Sequence, residues 1–104
     1  MTGRCQLPNR RVARTVEFAL DGVLYIASLG FFPSGGLAEV FLRAGKPGSA
    51  VETAAHDAAI ILSLALQHGT PVNAIRHALL RLPDGSAAGP LGRVLDIVES
   101  EAYL

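Results

Sequence analysis

Two pairs of neighbouring residues, His56-Asp57 and Arg76-His77, with His68 between them, are the side chains in this 104-residue chain whose types invite chemistry. A histidine beside a carboxylate is half of a general-base arrangement and needs a nucleophile in reach to become a hydrolytic site. No nucleophile-elbow sequence accompanies the pair. Zinc takes about four ligands, three of them from the protein in catalytic sites. The histidines stand at 56, 68 and 77, none in helical i, i+4 register, and the chain holds a single cysteine, Cys5. We therefore expect no catalytic set, no metal site and no bound cofactor. On this reading His56 and Asp57 are a polar stripe on a helix. His68, in the last turn of that helix, complements the carbonyl end of its dipole.

The second candidate is an anion site. Gly45-Lys46-Pro47-Gly48-Ser49 leaves a strand, carries a cation and flexible glycines, and ends where a helix begins. Free amides at a helix N-terminus hold phosphate well. A nucleotide or phosphate would meet the amides of Ser49 to Val51, with Lys46 supplying charge and Gly45 and Gly48 permitting close approach. Arg76 joins only if the second helix lies alongside. The segment lacks the glycine spacing of a Walker loop, and a connecting turn with a solvated lysine is the alternative. Arg4, Arg10, Arg11 and Arg14 make a small basic patch, which solvation of an N-terminal arm and a strand edge explains as readily as a nucleic-acid contact.

The elements that position these residues follow from periodicity. Residues 1–11 have none and read as a flexible basic arm, leaving 12–104 as one domain. Val12 to Leu20 alternates, Asp21-Gly22 is a two-residue hairpin turn, and Val23 to Phe31 returns. Pro33-Ser34-Gly35-Gly36 breaks the chain, and Leu37 to Arg43 alternates again, with Leu37, Glu39, Phe41 and Arg43 on one face. Ser49 and Glu52 form a capping box opening a long helix that Gly69 closes. Its polar positions, Thr53, His56, Asp57, Ser63 and Gln67, make only a narrow stripe, so it is expected to be buried on more than one side. Thr70-Pro71 caps a second helix running to Pro83-Asp84-Gly85, and Gly89-Pro90 starts a third. The fold class is α+β: a three-stranded antiparallel meander followed by three helices, the long first one packed on the sheet.

Composition sets the outer limits. A chain of this length has room for one hydrophobic core. Nine basic residues balance nine acidic ones, so no net field draws a polyanion and nucleic acid is an unlikely partner. Mean hydropathy is high at +0.37, but the longest apolar run, Ala58 to Leu66, is broken by Ser63 and falls short of the ~18 residues that span a bilayer. Arginines occupy the place of a signal peptide's apolar stretch, and a lone cysteine suits a reducing compartment; both point to the cytoplasm. The apolar long helix also leads us to expect a homo-oligomer, most simply a twofold dimer using this helix or the sheet.

Taken together, L-P-N-R-R at Leu7 to Arg11, A-E-V-F-L at Ala38 to Leu42, G-K-P-G-S at Gly45 to Ser49, D-A-A-I-I-L-S-L-A-L-Q-H-G at Asp57 to Gly69 and G-P-L-G at Gly89 to Gly92 resemble the TSCPD domain family. That family is found near the C-terminus of adenosylcobalamin-dependent ribonucleotide reductases and as short standalone proteins. The resemblance implies a link with deoxyribonucleotide supply and so with DNA replication, and a ribonucleotide reductase as a candidate partner. It does not imply reductase activity in these residues, because that chemistry requires a thiyl-forming cysteine, a redox cysteine pair and a large barrel. The T-S-C-P-D string is absent, and Cys5 matches none of its positions. Three functions stay open: a regulatory or interaction module related to the reductase, a nucleotide or phosphate binder, and a small enzyme using the histidines.

Overall fold

A computed structural model of the protein describes Gly3 and residues 13–101. The basic arm with Arg4, Arg10 and Arg11, the thiol of Cys5, and the expected strand start at Val12 lie outside the described residues. Strand β1 (Ala13–Leu20) turns at Asp21-Gly22 into β2 (Val23–Phe31), and β3 (Leu37–Ala44) follows, giving an antiparallel sheet in the order β1-β2-β3. Asp21 and Gly22 take φ of 52° and 78°, the positive values that a tight hairpin following the strand twist demands. The helices are α1 (Ala50–Gln67), α2 (Val72–Ala78) and α3 (Pro90–Glu101). The α+β meander-then-helices architecture read from periodicity is thus the observed one, with α1 packed along β3.

One face of the sheet is the core wall. Phe18 stacks on Tyr25 with ring centroids 5.3 Å apart, and Ala27, Leu29, Val40 and Leu42 are buried beneath Ala55, Ala59, Leu62 and Leu66 of α1 and Val94, Leu95 and Val98 of α3. The simple alternation expected for β3 fails at its start. A register shift between Gly30 and Phe31 pairs Gly30 with Glu39 but Phe31 with Leu37. This bulge carries Leu37 to the face of Phe31, away from Phe41 and Arg43. Gly30 is required opposite Glu39, because a Cβ there would lie 2.6 Å from the Glu39 carboxylate.

The helix ends follow the local chemistry. Ser49 Oγ accepts the Glu52 N–H at 3.2 Å, and the Glu52 carboxylate accepts the Gly48 N–H at 2.9 Å. At the other end Gly69 takes φ 96°, and the Gly69 and Thr70 N–H groups close on Leu66 and Ala65, as a Schellman stop does. The second helix differs from expectation at both ends. Its N-cap is Pro71, with no side-chain cap bond, and it stops at Ala78. The chain then runs extended, and Arg81 bridges Ala87 around a turn in which Asp84 Oδ1 accepts the Ser86 N–H and Oγ–H. Leu82, at helical spacing from Val72, Ile75 and Leu79 and so expected in the second helix, lies beyond its end and is exposed, as is Leu80.

The expectation that α1 is buried on more than one side is also corrected. One face packs inward, while Val51, Ile60, Ile61 and Leu64 are exposed, Ile61 at 68%. What fixes this face is polar. Ser63 Oγ accepts the Val40 N–H at 2.8 Å and donates to the Val40 C=O at 3.0 Å, and Gln67 Nε2 donates to the Ala38 C=O at 3.1 Å. One turn apart, these two residues act as a strand substitute along the free edge of β3. Ser63→Ala leaves a buried donor and a buried acceptor unmatched, and we expect a loss of about 2–3 kcal/mol. Urea unfolding should show a lower midpoint at unchanged slope. The exposed Ser100→Ala should change stability by no more than about 0.5 kcal/mol.

Candidate functional site

In the Gly45–Ser49 turn Gly45 and Gly48 take φ 61° and 78°, and two of its amides are engaged by the chain itself. Gly48 N–H is taken by the Glu52 carboxylate and Ser49 N–H by the Lys46 C=O. A phosphate drawing on the Gly48 amide would have to displace a carboxylate that already complements the helix dipole. Lys46 is exposed beside this loop. Arg76 does not join it. Its Nε donates to Asp96 Oδ1 at 2.8 Å, on α3.

The histidines do not converge. His56 and Asp57 are neighbours on α1, with Nδ1 3.5 Å from Oδ1 and both side chains more than half exposed. His68, the C-cap of α1 three turns on, sets its Nδ1 2.9 Å from the Leu64 carbonyl. This is the capping role read from the sequence, through its own helix. Among the described residues, no group of three or more His, Cys, Asp or Glu is placed to hold a metal ion. No described helix is long and apolar enough to cross a membrane.

A charged cluster that sequence reasoning missed lies between α2, the Arg81 bridge and α3. Asp96 accepts Arg76 at 2.8 Å and both terminal nitrogens of Arg81 at 2.6 and 2.7 Å. The Arg81 hydrogen bonds, followed by that of Arg76, outweigh partial burial and hold the Asp96 carboxyl at about 2, against an ordinary 3.8. A fork from Arg81 and a single bond from Arg76 use both carboxylate oxygens, the strongest arrangement for such a pair. The Arg81 guanidinium is raised in turn, first by its hydrogen bonds to Asp96. The partners are 20 and 15 residues from Asp96, so no local spacing announces them. Gly92 completes this corner, since a Cβ there would stand 2.9 Å from the Ala87 methyl.

Open surfaces among the described residues include two clefts. A cleft of about 510 Å³ is lined by Phe41, Arg43, Glu52, Thr53 and His56, mixing both signs of charge. A second groove, about 440 Å³, runs between α1 and the start of α3 and is nearly all apolar, with Val51, Ala54, Ala58, Leu79 and Leu91 along it. It continues the exposed apolar side of α1.

Comparison with known proteins agrees on one relationship. Over 69 residues, 66% of the chain, it is 35% identical to a vitamin B12-dependent ribonucleotide reductase of Agrobacterium fabrum. It is 33% identical over the same length to that of Streptantibioticus cattleyicolor, and 32% identical over 73 residues to that of Bradyrhizobium diazoefficiens. The chain is thus related in sequence to part of these reductases. The matches span only 5%, 12% and 6% of the three reductases. No family model matches the chain, TSCPD included, and no solved structure matches it.

Asp96 gives this region a defined acid response. Its folded pKa is depressed, so its stabilisation is complete above the ordinary carboxylate value near 4 and disappears as pH falls toward about 2. Asp96→Asn should cost about 2 kcal/mol at pH 7. The stability difference between it and the natural chain should shrink between pH 4 and pH 2, read by denaturant midpoints across that range.

Proposed function

We propose that this chain is an accessory domain related to a module of vitamin B12-dependent ribonucleotide reductases, acting by protein contact and not catalytic alone. The observation that carries this reading is the similarity to those enzymes at 32–35% identity over two thirds of the chain. Its physical support is the molecule's surface. Among the described residues no three His, Cys, Asp or Glu side chains gather to hold a metal ion, while α1 offers Val51, Ile60, Ile61 and Leu64 to solvent, and exposed apolar surface of that kind marks contact sites. One cysteine in these 104 residues leaves no redox pair within them for ribonucleotide reduction. A reductase is the first partner to test.

A nucleotide or phosphate role at Gly45 to Ser49 has less behind it, because the Glu52 carboxylate already takes the Gly48 amide and Arg76 pairs with Asp96. Titration with inorganic phosphate or a ribonucleotide to millimolar concentration should leave the amide resonances of Gly48 to Val51 unmoved. Displacement of the Glu52 carboxylate, seen as a ligand-dependent shift at Gly48 that Lys46→Ala weakens, would reinstate that function.

The main reading is tested by calorimetric titration of the chain with a purified B12-dependent reductase. Saturable binding is expected, weakened at least tenfold by Ile61→Asp with the fold intact. The chain alone, given adenosylcobalamin, a ribonucleotide and a dithiol, should form no deoxyribonucleotide. Product formation that Cys5→Ser abolishes, or absence of any heat of binding, would contradict the proposal.

A further inference from the structure

The two edges of the sheet are treated differently. Along β3, Ser63 and Gln67 supply the missing partners for Val40 and Ala38. Along β1, no described strand pairs with the outer edge. Which groups that edge presents follows from the far side of the sheet. Val40 turns its N–H and C=O out to Ser63, so Glu39, Phe41 and Arg43 turn theirs to Gly30, Ser28 and Ile26 on β2. Antiparallel strands alternate, so Leu29, Ala27, Tyr25 and Val23 face Arg14, Val16, Phe18 and Leu20. Ala13, Thr15, Glu17 and Ala19 therefore direct their backbone groups outward. The register with β2 is unbroken over the whole strand. β1 contains no proline and no bulge, two of the devices that keep an edge from pairing.

We propose that the outer edge of β1 pairs antiparallel with β1 of a second copy of this chain, about a twofold axis at Val16. The sheet then runs continuously through both copies, with the helices of both on one face. The register is set by the strand. Directly opposed residues share a face, so the axis passes through a single residue. At Glu17 it would place two carboxylates against each other, a destabilising pair, and at Thr15 it would set Ala19 opposite Arg11, outside the described residues. At Val16 all four outward residues are used: Thr15 meets Glu17, a hydroxyl against a carboxylate, and Ala13 meets Ala19. Val16 meets its own twin. This surface lies away from the exposed side of α1, and the inference does not depend on the reductase relationship.

The test is sedimentation of the full chain at micromolar concentration, with variants that read the register. A species of twice the 10.9 kDa chain mass is expected. Thr15→Pro removes an outward N–H without touching the β1–β2 ladder and should yield monomer with an unchanged circular dichroism spectrum. Non-hydrogen-bonded twins stand about 4.5 Å apart, within the span of a disulfide. In a Cys5→Ser background, Val16→Cys should therefore cross-link nearly completely on mild oxidation, and Ala19→Cys should not. The cross-link decides the matter if Thr15→Pro fails to fold. A 10.9 kDa species alone at about 100 μM would overturn the proposal. So would a dimer that does not cross-link through Val16→Cys and is dissociated by Ile61→Asp, which would put association on α1.

Discussion

The outer edge of β3 has to be satisfied without a neighbouring strand, and the rest of the molecule is arranged around how that is done. A buried strand edge leaves every second N–H and C=O without a partner, each costing about 1–3 kcal/mol if unmatched. Here a serine and a glutamine one helical turn apart take the place of the absent strand. Ser63 serves both groups of Val40, and Gln67 serves the carbonyl of Ala38. Because both residues are more than nine-tenths buried, their bonds form in a setting where water does not compete.

Anchoring α1 in this way fixes its rotation, and the rotation decides what the molecule shows to solvent. With Ser63 and Gln67 turned to β3, Ala55, Ala59, Leu62 and Leu66 face the core, while Ile61 and Leu64 face out. His56 ends beside Phe41 and Arg43 of β3, too far along the helix to meet His68. The rest of the core is closed from the other side by α3, which α2 and the Arg81 bridge grip through Asp96. A carboxylate shared by two arginines ties α2, which has no buried side chain, and the Arg81 bridge to α3, whose Val94, Leu95 and Val98 stand in the core.

Much of this was legible because it is local. The Asp21-Gly22 turn, the Ser49/Glu52 capping box and the Gly69 stop each specify a backbone geometry within a few residues, and the structure has all three. The two polar residues inside Ala58–Gln67 were visible as well, but their meaning was not. A serine in an apolar helix reads as solvated or as a core compromise until its partner is known, and Val40 is 23 residues away. The same holds for Asp96 and its arginines. The end of α2 was missed because Leu79 and Leu82 keep helical spacing while the Arg81–Ala87 bridge, a tertiary demand, pulls the chain straight. Periodicity could not reveal the bulge at Glu39, since one extra residue reverses the face of everything before it. In the candidate site the long-range part was hidden: Arg76 pairs with Asp96, 20 residues on, and Glu52 takes the Gly48 amide of the loop.

That α1 acts as the missing strand for β3 is tested most directly by native-state hydrogen exchange at the Val40 amide. If Ser63 holds it as described, this proton exchanges only when the whole domain unfolds. Its protection then equals the global stability and falls in step with it as urea is added. Exchange at Val40 through a smaller, urea-insensitive opening, while Leu29 and Leu95 remain protected, would mean that the edge is not sealed by the helix and would contradict the account.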